Sequence, residues 1–173
     1  MYEVAYLCGG PERVALTAVA AMRRDGRIKI SPARHRVQVT RDQASHPVER
    51  AVLDAAPWPG MGLGSVLGEV AGSAAVRSTG DQLRRHALLG KHSHLTRAGR
   101  KLRGEFDGAI PEGLRIAVLG PSGVDDELRK ALKEPGPGRS LVPRQRDGKK
   151  RHGYGQAPPD GTIAGYPGVP GRW

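Results

Sequence analysis

Residues 9–30 are GGPERVALTAVAAMRRDGRIKI, a helix start, an apolar run, a stop and a change of period in one stretch. Pro11 stands where a helix begins, because the first helical residues have no internal use for an N–H. Glu12 suits the positive end of the helix dipole. Val14, Leu16, Ala18, Val19, Ala21 and Met22 then leave little polar surface on any side. A helix that is apolar all round is a buried helix. Arg24-Asp25-Gly26 supplies the stop, with cations in the last turn and a glycine just beyond. The period then changes: Arg27-Ile28-Lys29-Ile30 alternates polar and apolar, as a strand does.

Working outward, Tyr2–Leu7 is a short amphipathic start that ends at Gly9-Gly10. Downstream, Ser31-Pro32-Ala33-Arg34-His35 is rich in turn residues, and Arg36-Val37-Gln38-Val39-Thr40 alternates again. Two alternating runs around such a loop predict a β-hairpin. Ile28, Ile30, Val37 and Val39 share the buried face. Arg27, Lys29, Arg36 and Gln38 share the other, with Arg34 and His35 at the tip. A helix followed by a basic hairpin is the pattern of a winged-helix wing. An ordinary hairpin with a solvated outer face has the same pattern.

A second unit begins near Ser45. Pro47 sits in a first turn, and Val48, Ala51, Val52 and Ala55 follow at helical spacing. Pro57-Trp58-Pro59-Gly60 breaks the helix, with Trp58 expected to pack at a corner. Leu63, Val66, Leu67 and Val70 mark another amphipathic helix. Gly72 ends it, and Ser73 is a natural N-cap for the next helix, which is expected from Ala74 to Leu89. Arg77–Asp81 and Asp81–Arg85 are spaced as i, i+4 pairs. Gly80 in the middle weakens this helix by about 1 kcal/mol relative to alanine. Helices joined by a tight Gly-Ser connection resemble a helix-turn-helix, whose last helix reads nucleic acid. A solvated face on a small helical bundle is the alternative. Thr96 is placed to cap a helix to about Phe106. Leu114–Leu119 reads as a strand or helix, and Gly120-Pro121-Ser122-Gly123 leads into a helix over 125–132.

The chain has 173 residues, with 28 Lys and Arg against 17 Asp and Glu, a formal charge of +11. That length suits one compact domain or two small ones. The charge divides unevenly in kind. Residues 135–173 hold 9 of the 25 glycines, 7 of the 14 prolines, and seven Lys and Arg against two Asp. Such a composition buries too little apolar area to offset chain entropy and reads as disordered. Its cluster Arg144, Arg146, Lys149, Lys150 and Arg151 suits a polyanion, with Tyr154, Tyr166 and Trp173 available for stacking. Residues 1–134 carry the remaining +6.

Other chemistries find little support. One cysteine, Cys8, excludes an intramolecular disulfide framework and a thiolate zinc cluster; it reads as a small buried hydrophobe. No apolar run approaches the roughly 18 residues of a membrane span. Gly120-Pro121-Ser122-Gly123 lacks the Lys-Ser/Thr ending of a phosphate loop. His86, His92 and His94 lack convergent donors and read as surface histidines. Nothing marks a nucleophile elbow or paired catalytic carboxylates. The expectation is a non-enzymatic, cytoplasmic protein with no cofactor and no metal, and not an integral membrane protein.

The opening Tyr2-Glu3-Val4-Ala5-Tyr6-Leu7-Cys8-Gly9-Gly10-Pro11-Glu12-Arg13-Val14 resembles the start of an uncharacterised actinobacterial protein family. Most of its members are membrane proteins with a Gly- and Cys-rich tail. The resemblance continues through Asp25-Gly26-Arg27-Ile28, His46-Pro47-Val48-Glu49-Arg50-Ala51-Val52-Leu53, Ala75-Val76-Arg77, Leu88-Leu89-Gly90 and Leu95-Thr96-Arg97-Ala98-Gly99-Arg100. It covers about residues 2–134. Two departures stand out. The family places hydrophobic spans between the counterparts of Leu89 and Leu95, where this chain has five residues, and the tail here has no cysteine. The chain looks like a shortened, soluble member. Leu95-Thr96-Arg97-Ala98-Gly99-Arg100 also resembles the passage from wing strand to C-terminal helix in winged-helix regulators. The family carries no activity to transfer.

The fold class expected is mainly α with a β-hairpin: tandem winged-helix-like units and a disordered tail. The units are residues 1–44, 45–110, an extension at 111–134, and the tail at 135–173. The function expected is nucleic-acid binding or regulation. The candidate contacts are Arg27, Lys29, Arg34 and Arg36 on the hairpin, and Arg77, Gln82, Arg84 and Arg85 on the third helix. The partner is DNA or another polyanion. The alternatives are a protein–protein adaptor of the same shape and a peripheral membrane protein.

Overall fold

The computed structural model describes residues 1–31, 34–106, 108 and 110–133. The expected tail, with its basic cluster and aromatics, lies outside the described residues. In chain order the elements are α1 (Tyr2–Arg24), β1 (Ile28–Ser31), β2 (Arg36–Val39), α2 (Pro47–Asp54), β3 (Met61–Gly62), α3 (Leu63–Ala71), α4 (Ala74–Arg85), α5 (Arg97–Gly104), α6 (Arg115–Leu119) and α7 (Asp126–Lys133). The fold is mainly helical with a small three-stranded antiparallel sheet, ordered β1-β2-β3.

α1 is the axis of the core. It kinks at Gly9-Gly10, where Gly10 takes φ 71°, a backbone conformation that favours glycine. Beyond the kink, every residue from Val14 to Met22 is buried. α2, α3, α4 and α6 all pack against α1, which is how an all-apolar helix finds cover. Its alanines keep the neighbouring backbones close. One apolar cluster runs from Tyr2 to Ala131, continuous across residues 44 and 110.

Arginines stitch the periphery to this axis. Arg13 donates to the Val118 carbonyl of α6 at 2.7 Å. Arg23 bonds Asp125 and Glu127, the latter at 2.6 Å, and so ties the end of α1 to the start of α7. Asp125 also caps α7 by accepting from the Leu128 amide at 2.8 Å. Burial would raise its carboxyl, but that amide and Arg23 hold it below the ordinary value.

The hairpin has the register expected of its alternation, with Ile28 opposite Val39 and Ile30 opposite Val37. Ile28 and Val37 are fully buried, Ile30 is half-buried and Val39 is exposed at the sheet end. β3, two residues long, was not foreseen. Trp58 corrects the sequence reading outright: it is 94% exposed, and no corner of the core takes it.

Sequence reading passed over Glu49, which is buried on α2. Its carboxylate accepts from Tyr2 Oη at 3.0 Å, from Arg27 at 2.6 Å and from the Ser45 amide at 2.8 Å. Arg27 also bonds Asp25 at 2.7 Å. Burial alone would raise the Glu49 carboxyl, but Arg27, the Ser45 amide and Tyr2 outweigh it and hold its pKa at about 2. Burial, reinforced by the Glu49 charge, pushes the Tyr2 hydroxyl well up.

Two outcomes follow from this packing. A carboxylate depressed on folding binds its proton first in the unfolded chain. The stability from Glu49 is therefore whole above about pH 5 and drains as pH falls toward its folded value. Urea midpoints from pH 7 to pH 3 should fall more steeply for wild type than for Glu49→Gln. That variant should itself lose about 2 kcal/mol at neutral pH, because Arg27 keeps Asp25 but trades its buried charged partner for a neutral amide. Gly80 sits in α4 where an added Cβ would meet Tyr6 Oη at 2.7 Å. Gly80→Ala should lower the thermal midpoint, although an open helical site would gain about 1 kcal/mol. A midpoint at or above wild type would remove the Tyr6–Gly80 contact as the reason for glycine.

Candidate nucleic-acid interface

α4 is built to turn one face outward. Ser73 caps it, accepting from the Val76 amide at 3.3 Å. Val76, Thr79, Gly80 and Leu83 are buried toward the core. Arg77, Ser78, Asp81, Gln82, Arg84 and Arg85 are left on the solvent side. The structure therefore brings Arg77, Gln82, Arg84 and Arg85 onto one face. The expected i, i+4 pairs do not form. Asp81 instead pairs with Arg84 at i+3, the rotamers leaving Arg85 open to solvent, and Arg77 folds back onto the Gly72 carbonyl.

α4 stops at Arg85, short of Leu89. Ala87 takes φ 54°, and the Leu88 amide returns to the Leu83 carbonyl at 2.9 Å. The chain then makes a tight excursion. Leu89 and Leu95 form an antiparallel bridge around Gly90–His94. Thr96 does two jobs there: its hydroxyl donates to the Ala87 carbonyl at 2.7 Å and accepts from the Gly99 amide at 3.1 Å, capping α5 as expected. A Cβ on Gly99 would lie 2.2 Å from the Leu88 carbonyl oxygen, so α5 starts against the trailing turn of α4. Arg84 reaches the excursion by donating to Ser93 Oγ at 2.9 Å.

α4, the bridged turn and α5 thus form one ledge, and its charge is lopsided. Residues 74–104 contain eight Lys and Arg and one acid, Asp81. All eight cations are exposed, and among the described residues only Arg84 has an acidic partner. His86, His92 and His94 are exposed on the same ledge. Sequence reading missed Lys91, Arg97, Arg100, Lys101 and Arg103. The signal is a local charge run over residues 97–103, just after the Thr96 cap, with Lys91 on the turn before it.

The hairpin residues divide. Lys29 and Arg34 are exposed. Arg27 is turned inward to Glu49 and Asp25, with its side chain 11% exposed, so its charge is satisfied within the fold. Arg36 is half-buried and donates to the Gly60 carbonyl. His35, expected at the tip, is buried with Nδ1 3.3 Å from the Ala131 carbonyl oxygen.

Comparison with protein-family models, curated proteins and solved structures returned no match. No helix among the described residues is long and apolar enough to cross a membrane.

The ledge depends on the Thr96 hydroxyl. Thr96→Ala should cost about 1 kcal/mol, read as a lower urea midpoint, and proteolysis should then cut first within 90–104.

Proposed function

We propose that the protein is a non-enzymatic, cytoplasmic nucleic-acid-binding protein that holds phosphates on the ledge of α4, the bridged turn and α5. The observation that carries this reading is the exposure of all eight cations of residues 74–104, with Asp81 the one acid within the stretch and Glu105 at its border. Phosphate contacts dominate affinity for nucleic acid, and arginine and lysine on a helix face make them without a built pocket. Gln82 is the residue of the face with paired donor and acceptor for a base edge.

A winged-helix-like arrangement of the second unit is part of the proposal. The order α2, β3, α3, α4, bridged turn, α5 supports it, with α4 as the reading helix and Gly90–His94 as a minimal wing carrying Lys91. We also infer membership of the actinobacterial family. The bridge between Leu89 and Leu95 brings together the two residues between which that family places its spans, so a segment inserted there need not disturb the body.

A second reading, a protein–protein adaptor, is favoured by one observation. A groove of about 820 Å³ lies between α1, α3 and α7, walled by Leu16, Leu67, Pro121 and Leu132.

Fluorescence anisotropy with a labelled duplex at about 50 mM salt should show binding whose log affinity falls linearly with log salt. Arg97→Gln with Arg100→Gln should weaken binding to any sequence and reduce the salt slope by about two. Absence of binding to DNA and RNA at that salt removes the nucleic-acid reading and leaves the adaptor.

A further inference from the structure

The turn Pro57-Trp58-Pro59-Gly60 holds a large aromatic side chain that the core does not use. Trp58 is 94% exposed, and Pro57 and Pro59 on either side are exposed with it. The support beneath is firm. The prolines fix their own φ. The Gly60 amide donates to the Pro57 carbonyl at 2.7 Å and closes the turn. Arg36 of β2 clamps the Gly60 carbonyl. Gly60 takes φ 102°, and a Cβ there would lie 2.6 Å from the Val37 carbonyl oxygen, so the turn is pressed onto β2. The indole is thus held out from a braced backbone.

Its surroundings are partly polar, and the basic hairpin lies next to them. A shallow depression of about 200 Å³ beside it is lined by Gln38, Val39, Ala56, Pro59 and Gly60. Lys29 stands directly across the ladder from Gln38 and is exposed. Residues 26–41 carry five Lys and Arg and no acid. With Arg27 spent on Glu49 and Asp25, Lys29, Arg34 and Arg41 remain exposed. One aromatic disc beside an acid-free basic hairpin matches the chemistry of single-strand binding, in which bases stack on an aromatic face while cations track the backbone. In a duplex the bases are paired and stacked on each other, so the indole finds no free base face. The apolar area here, one indole and the edge of Val39, is small for a membrane anchor.

We propose that Trp58 is a stacking platform for an unpaired base, and that Lys29 with its neighbouring cations holds the adjoining phosphates. The ligand class is single-stranded nucleic acid. The inference rests on the nucleic-acid reading above and adds to it a site and a preference for strand form.

The test uses the full chain and two probes, a labelled oligothymidylate of about 15 nucleotides and a duplex of equal length, at about 50 mM salt. Trp58→Ala should weaken single-strand binding about tenfold and leave duplex binding unchanged. Trp58→Phe should keep most of the single-strand affinity, because a phenyl ring still offers a π-face. In a Trp173→Phe background, the oligonucleotide should quench the remaining indole emission. Matching circular dichroism and thermal midpoints establish that the variants are folded. If Trp58→Ala binds the single strand as wild type does while Arg97→Gln with Arg100→Gln loses it, the platform is refuted and the ledge stands. If wild type binds neither probe, both readings fall. If the indole responds to vesicles of anionic phospholipid and not to the oligonucleotide, the turn is a membrane contact and the proposal is overturned.

Discussion

The structure depends on one constraint, the complete burial of α1 from Val14 to Met22. Nine successive residues without a wet side cannot rest on one neighbour. They need cover in every direction around the helix, so α2, α3, α4 and α6 are drawn onto the same axis. Several of these helices are short, and α6 has only five residues. Isolated helices of that length are unstable in water. Their stability comes from the apolar face each lays on α1. The polar faces left outside are then set by helical phase, which is how α4 comes to show its arginines.

That constraint also sorts the charges. Arg13, Arg23 and Arg27 leave or follow α1 close to its buried run, and each is bonded to another part of the fold. Arg129 on α7 is likewise spent, on Asp126 and the Ser122 and Val124 carbonyls. These cations contribute to the net charge of the sequence but not to a binding surface. Subtracting them leaves two regions where charge is exposed and local acid is scarce, the hairpin and the ledge. A charge of +11 is thus compatible with several surfaces, and internal pairing decides which of them a ligand meets.

Much of the local structure was legible in sequence. The break at Gly9-Gly10, the hairpin register and the caps at Ser73 and Thr96 each have a short-range cause: a left-handed glycine, alternation of period two, or a hydroxyl within reach of an amide three residues on. What escaped has long-range causes. Glu49 looks like any exposed acid of a helical first turn until Arg27 and Tyr2 arrive from elsewhere in the chain. The same contact withdrew Arg27 from the candidate contacts. Trp58 was expected to pack at a corner, but it stands out from a turn with prolines on both sides that Arg36 clamps to β2. Gly80 looked like a weakness in α4, and its cause lies 74 residues away in the ring of Tyr6.

Helix electrostatics accounts for only part of the charge on the ledge. Cations in the last turn of a helix gain from its dipole, which accounts for Arg84 and Arg85 on α4 and for Lys101 and Arg103 on α5. It does not account for Arg97 and Arg100 near the start of α5, where the dipole disfavours positive charge. Nor does it account for Lys91 on the intervening turn. Charges of one sign gathered on a small surface repel one another, and that repulsion works against the compact state. Acidic residues interspersed on the same faces would have relieved it at little structural cost, since the outward positions of α4 and α5 make few packing demands. With Asp81 the one acid inside the stretch and Glu105 bordering it, the described residues supply little counter-charge there. A regularly charged polyanion, the partner proposed above, would supply it.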